Sequence, residues 1–227
     1  MNLWQTRQKS LEWLTNELVE QNTLVDIGFE LLDKCITIFN QYSNTSEDEL
    51  TGRFARVVNI TLAKSRNLLL GSYSMMLDAL AQEAGALLRP ILEAYELLIY
   101  FRLKPERVNQ AIDGKLPKHG EIAKKIEGEF HDLRNYLNTN ASHLSFNFES
   151  ARHLLDYQTF EIKAVQQQSI DVLKNNLTTL NAVQILVVAE AIRCLDVLRF
   201  TPESLISEYE DWRLKSIKAS PLPNKDS

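Results

Sequence analysis

Apolar residues recur along this chain in steps of three and four, the spacing that lines one face of an α-helix. The clearest stretch runs from Tyr73 to Arg102. On a wheel turning about 100° per residue with Leu80 at zero, the residues Tyr73, Leu77, Ala84, Leu87, Ile91, Tyr95 and Leu98 fall within about 60° of Leu80. The other side mixes Met75, Ala86, Leu97 and Tyr100 with Asp78, Arg89, Glu93 and Glu96. A helix apolar nearly all round is normally enclosed by others, so the pattern predicts a central helix with Arg89 and Glu93 buried. Pro90 lies inside it and cannot donate to the carbonyl of Ala86, which predicts a kink between Ala86 and Arg89.

The same periodicity predicts a helix from about Gln8 to Gln41, interrupted at Asn22-Thr23, with Leu11, Leu14, Leu18, Leu24, Ile27, Leu31, Cys35 and Ile38 on its apolar face. The polar run Ser43 to Glu49 separates it from the next helix. Ser46 and Glu49 have the spacing of a capping box. That helix carries Leu50, Phe54, Val57, Val58, Leu62 and Leu69, and ends near Gly71; Arg53, Arg56, Lys64 and Arg66 make its remaining face the most basic of the chain.

After the central helix, Pro105 opens a short helix to about Ile112, and Asp113-Gly114-Lys115-Leu116-Pro117 breaks the pattern. Ile122, Ile126, Phe130, Leu133 and Leu137 then read as one further helix. Residues 148–160 show the weakest periodicity. A long helix follows from about Ala164 to Phe200, and Thr201-Pro202-Glu203 opens a last acidic one to about Lys218. No segment alternates apolar and polar residues for long enough to build a sheet. The expectation is an all-α protein, an antiparallel bundle of about six to eight helices with a kinked central helix, formed by residues 1–219 as a single domain and followed by a disordered tail at 220–227.

Composition sharpens the class. The chain has 227 residues, 44% of them hydrophobic, with seven Gly and six Pro, an economy of turn residues that suits long helices. A formal charge of −5 counts against a nucleic-acid surface working by general electrostatics. Lys115, Lys118, Lys124 and Lys125 form the nearest basic patch, but Glu121, Glu127 and Glu129 interrupt it. Cys35 and Cys194 each sit in an apolar helical pattern and are expected as buried thiols. The N-terminus lacks the pattern of a signal peptide, and no apolar run reaches the roughly 18 residues of a membrane span, so a reducing cytoplasm is the expected location.

Chemistry-bearing motifs are few. No glycine-rich phosphate loop, serine elbow or Cys-x-x-Cys pair occurs. His131, His143 and His153 are not spaced to share one helix face, so neither a metal nor a cofactor is expected. The polar residues worth weighing are Arg89 and Glu93, one turn apart, and Arg134, Tyr136, Asn138, Ser142 and His143 on the later helix and beyond it. If the central helix is enclosed, its charges need partners, and the segment Tyr136 to His143 is the natural source.

The sequence Arg89-Pro90-Ile91-Leu92-Glu93, followed by Arg134-Asn135-Tyr136-Leu137-Asn138-Thr139-Asn140-Ala141-Ser142-His143, resembles uncharacterised bacterial helical proteins, over roughly residues 70 to 150. Some of these look like relatives of HEPN domains, helical ribonucleases or nucleotide-binding modules of bacterial defence and toxin systems. The HEPN mark is an Arg closely followed by a His, whereas here eight residues separate Arg134 from His143. The resemblance implies, as one alternative, an RNA-directed nuclease or defence component in which His143 exchanges the proton of a ribose hydroxyl and Arg134 or Arg89 stabilises phosphorane charge.

The other expectation, placed first, is a binding or assembly module of the bacterial cytoplasm. It takes a small-molecule or protein ligand at Arg89, Glu93, Tyr136, Asn138 and Ser142, and uses Trp4, Trp13 and Trp212 in a homodimer surface.

Overall fold

The four longest helices account for most of the interior. The computed structural model describes residues 3–45, 49–137, 139, 159, 161–162 and 168–220. Among these, nine α-helices and one 3-10 turn are formed: α1 (Leu3–Asn16), α2 (Val19–Thr45), α3 (Glu49–Leu77), α4 (Ala81–Leu103), the 3-10 turn Pro105–Arg107, α5 (Val108–Ile112), α6 (His119–Lys125), α7 (His131–Leu137), α8 (Ile170–Val197) and α9 (Glu203–Ala219). The all-α bundle is therefore the fold, with short pieces raising the helix count above the expected six to eight.

Helices α3 and α8 each pack against both α2 and α4, and against each other. Phe39, Phe54, Val58, Leu62, Ile91, Leu98, Leu177, Leu180, Val187 and Leu195 fill the space between them and belong to one buried cluster. Each such side chain contributes about 1.5–3 kcal/mol when fully withdrawn from water.

α9 closes one side, over α2 and α8. Trp212 is buried there, and its indole N–H donates to the Leu24 carbonyl at 2.7 Å. Gln184 of α8 donates to the Val25 carbonyl at 3.1 Å. Gly28 makes this convergence possible, since a Cβ at that position would stand 2.6 Å from Gln184 Oε1 and 2.8 Å from Trp212 Cζ2. Trp212 is thus a core residue, and the expected dimer surface of three tryptophans does not exist as such. Trp13 is half-buried beneath Lys9, and Trp4 is exposed.

Helix boundaries depart from the sequence pattern in four places. The first helix breaks at Glu17-Leu18 rather than at Asn22-Thr23. The helix expected to end at Gly71 continues to Leu77, and Gly71 is instead a close-approach position where a Cβ would meet Leu87 Cδ1 at 3.1 Å. The chain turns at Asp78–Leu80, where Ala79 takes φ 63°. Arg7 of α1 clamps this turn, its Nε and Nη2 reaching Asp78 at 2.7 and 2.8 Å. The helix expected over Ile122 to Leu137 is two, divided by a turn in which Glu127 has φ 53°. Finally, the long C-terminal helix starts at Ile170, where the Ser169 hydroxyl accepts from the Val172 N–H at 3.2 Å. The capping pair at Ser46 and the tail beyond Ser220 lie outside the described residues.

α4 remains helical through Pro90.

Candidate ligand-binding groove

The site grows out of how α3 and α4 lie against one another. At their shared turn the Ser72 hydroxyl donates to the Ala84 carbonyl at 3.0 Å, and Gly71 meets Leu87. Carried along the antiparallel pair, this register sets Leu68 beside Pro90, Lys64 beside Ala94, Thr61 beside Leu97 and Val57 beside Phe101. Those residues are the ones that line an open groove of about 470 Å³, which Ile60, Glu93, Ala111, Ile112, Leu116 and His119 complete. The volume lies within the roughly 300–1,000 Å³ of small-molecule sites.

Its far wall is built by a fixed connection. Arg107 donates from Nη1 to the Tyr100 carbonyl at 3.0 Å and stacks over the Tyr100 ring at 4.0 Å. The Tyr100 hydroxyl in turn meets Gln110 Oε1 at 2.9 Å. These contacts tie α5 to the end of α4, so that Ala111 and Ile112 face the groove. Gly114, at φ 67°, then reverses the chain toward Leu116 and His119. At the lips Ile60 and Ile112 are more than half exposed, an apolar rim of the kind that marks a binding surface.

The charges of the groove are nearly all engaged. Arg89 donates from Nε to Glu93 Oε1 at 3.1 Å, and His119 Nε2 stands 3.5 Å from Glu93 Oε2. Glu93 keeps 17% of its side-chain exposure and Arg89 34%, so the expected burial of the pair is partial. The Thr61 hydroxyl donates within its own helix, to the Val57 carbonyl at 2.9 Å. Lys64 alone among the groove's charged residues has no ion-pair partner among the described residues.

A second polar centre lies on another face of α4. Glu96 is fully buried and accepts from Arg134 Nη1 of α7 at 2.9 Å. Its other oxygen, Oε1, has no partner among the described residues and packs where a Cβ on Gly128 would stand 2.9 Å away. Burial pushes the Glu96 carboxyl above its ordinary value, Arg134 draws it back down, and the charge of Glu93 raises it again. Deeper in the bundle Glu190 of α8, also fully buried, is bracketed by Arg102 and by Arg193 at 3.2 Å. These pairs tie α4 to α7 and to α8.

The residues singled out in the sequence are therefore divided. Arg89 and Glu93 meet at the groove, while Arg134 is turned to Glu96 and Tyr136 is exposed on α7. Asn138, Ser142 and His143, the expected partners of the central helix, lie outside the described residues, as does His153. The residue that approaches Glu93 from outside its own helix, His119, had no signal beyond its place just before the Ile122 helix. Glu96 had only its position within an apolar run, Tyr95 to Phe101, and Lys64 looked like one more charge on a basic face.

Among the described residues no group of three His, Cys, Asp or Glu side chains could hold a metal ion, and no helix is long and apolar enough to cross a membrane. Cys35 and Cys194 are buried and unpaired, and burial pushes the Cys35 thiol up to about 12. No family model, curated protein or solved structure matches the chain.

Proposed function

We propose that this protein is a helical binding module whose α3–α4 groove takes a small ligand with an apolar body. The observation that carries the reading is the groove itself, with apolar walls from three helices, exposed Ile60 and Ile112 at its lips and only a few charged groups along its length. A comparable depression of about 540 Å³ between α2 and α9 supports the reading less well. There Lys34 is paired with Glu208, and Asp33 with Arg66.

Titration with 1-octanol, followed through backbone amide resonances, tests the proposal. Shifts should gather on α3 and α4 along the groove, and Leu97→Trp, which fills it from a half-buried position, should weaken binding at least tenfold. Shifts elsewhere, or none, would overturn it.

Two further elements of the proposal rest on less. Cytoplasmic residence is supported by the two free, buried thiols. Assembly into a homodimer is supported by the exposed Trp4. The RNA-directed alternative rests on Arg134 and His143, yet Arg134 is only 9% exposed and is held by Glu96, which leaves little of its guanidinium for a phosphate. Incubating RNA with the wild type and with His143→Ala tests that alternative, and RNA left intact by both removes it.

A further inference from the structure

The groove has a polarity that narrows its ligand. We propose that it binds an amphiphile with a carboxylate head, a medium-chain carboxylic acid, with the head on Lys64 and the chain lying toward Phe101. The inference rests on the groove reading above.

Charge supplies the first argument. Glu93 is the one carboxylate in the lining, and it is already compensated by Arg89 at 3.1 Å and approached by His119 at 3.5 Å. The Thr61 hydroxyl is committed to its own helix. Lys64 offers an ammonium group with three donors, and no residue among those described pairs with it. Arg89, Glu93 and Lys64 together leave the polar end of the groove with one positive charge in excess. A cationic head would meet Lys64 as a like charge; a neutral one would leave its charge unanswered.

Shape supplies the second. Lys64 stands partway along the groove, level with Ala94. From there Thr61, Ile60 and Val57 of α3 run beside Leu97 and Phe101 of α4, with Ala111 and Ile112 opposite, and no charged residue lies among them. Seven residues of helix separate Lys64 from Val57, about 10 Å of apolar track. In the other direction Leu68 and Pro90 continue the lining beside the polar pair of Glu93 and His119, so the apolar track runs from its cation one way only. An acid with one linear chain matches an anchor at one end and an apolar trench leading away from it. The lysine's own methylene stem can lie along the trench while its ammonium group reaches the mouth.

The test compares three probes that share a chain, namely octanoate, 1-octanol and octylammonium, by calorimetric or amide-resonance titration. Octanoate should bind about fivefold or more tighter than octanol, the scale of one partly screened ion pair, and octylammonium should bind more weakly than either. Lys64→Gln, a change at an exposed position that leaves the core intact, should erase the advantage of octanoate and leave octanol unchanged. Lys64→Glu should reverse the order of the two charged probes. Added salt should weaken octanoate alone.

If all three probes bind alike, or if Lys64→Gln leaves octanoate as tight as before, the carboxylate assignment is wrong, while the groove reading survives provided Leu97→Trp still blocks octanol. If no probe binds, both fall.

Discussion

Replacing Arg134 with methionine would leave the Glu96 carboxylate buried beside α7 without the cation that pairs with it. In the native protein the two are joined at 2.9 Å, with Glu96 fully buried and Arg134 9% exposed. Two unit charges about 4 Å apart attract by roughly 4 kcal/mol at the effective dielectric of a protein, and removing one partner of a buried pair costs about 3–5 kcal/mol. Arg134 also borders an open depression with Lys118 and Lys124, so solvent screens part of the loss and the lower end, about 3 kcal/mol, is expected near neutral pH. For a chain of this length that corresponds to a fall in Tm of about 6–12 °C.

The loss should depend on pH with a definite sign. The Glu96 carboxyl lies above its ordinary value because burial disfavours the charge, and Arg134 is the influence that holds it down. Without Arg134 it rises further. In the window from the ordinary carboxylate value up to that raised value, the folded state binds more protons than the unfolded state, so stability falls as pH rises through it. Below the window the carboxyl is protonated in both states and the charge penalty disappears. The Arg134→Met penalty should accordingly shrink to under about 1 kcal/mol near pH 4, while Glu96→Gln combined with Arg134→Met should recover most of the loss at neutral pH. Urea denaturation at both pH values, read as a change in midpoint at constant m, measures this. A penalty equal at the two pH values, or a double variant as unstable as the sum of its singles, would refute the reasoning.

Three other substitutions or conditions probe the fold. Gly28→Ala forces a methyl against Gln184 and Trp212, at 2.6 and 2.8 Å, and should cost about 1–3 kcal/mol in urea denaturation; a neutral or stabilising result would show that the three helices have room to part. Ala79→Gly relieves a left-handed residue at φ 63° and should stabilise the protein by about 0.5 kcal/mol, the left-handed cost less the entropy of glycine, whereas a loss would mean that its buried methyl matters more. Above about pH 9 the Cys35 thiol ionises in the unfolded chain but is held up to about 12 when folded, so the folded state keeps the proton and stability falls with rising pH. Cys35→Ala should flatten that alkaline decline, and an unchanged slope would place its origin elsewhere.

Much of the bundle was legible because burial in helices writes itself as spacing. Leu62 and Leu69, Ile91 and Leu98, Leu177 and Leu180 are core residues that the three-and-four rhythm picks out. The boundaries were less legible where local rules were overridden. Asp78-Ala79-Leu80 contains neither Gly nor Pro, and the turn is held by Arg7 from a helix more than sixty residues earlier, a tertiary contact with no local trace. Ile122, Ile126 and Phe130 keep a step of four straight across the break between α6 and α7, so periodicity alone joined them. Gly128 was the signal available, and it marks the place where Glu96 lies against the turn.

The candidate site was half legible for a related reason. Arg89 and Glu93 were visible as a pair because they share one helix. Lys64 and His119 join them only through the antiparallel register of α3 on α4 and through the reversal at Gly114, which are facts of three-dimensional arrangement. Glu96 has the same one-dimensional appearance as Glu93. What separates them is that one faces the groove and the other faces α7.

The groove can be tested in one titration. With backbone amides assigned, octanoate added to the intact protein should move Lys64, Thr61, Glu93, Leu97 and Phe101 together, in a saturable way and with a single affinity. Asp33, Lys34 and Leu205, which line the depression between α2 and α9, should stay still. Saturating shifts at those three residues, or no saturable shift along α3 and α4, would contradict the assignment of the α3–α4 groove as the place where this protein binds its ligand.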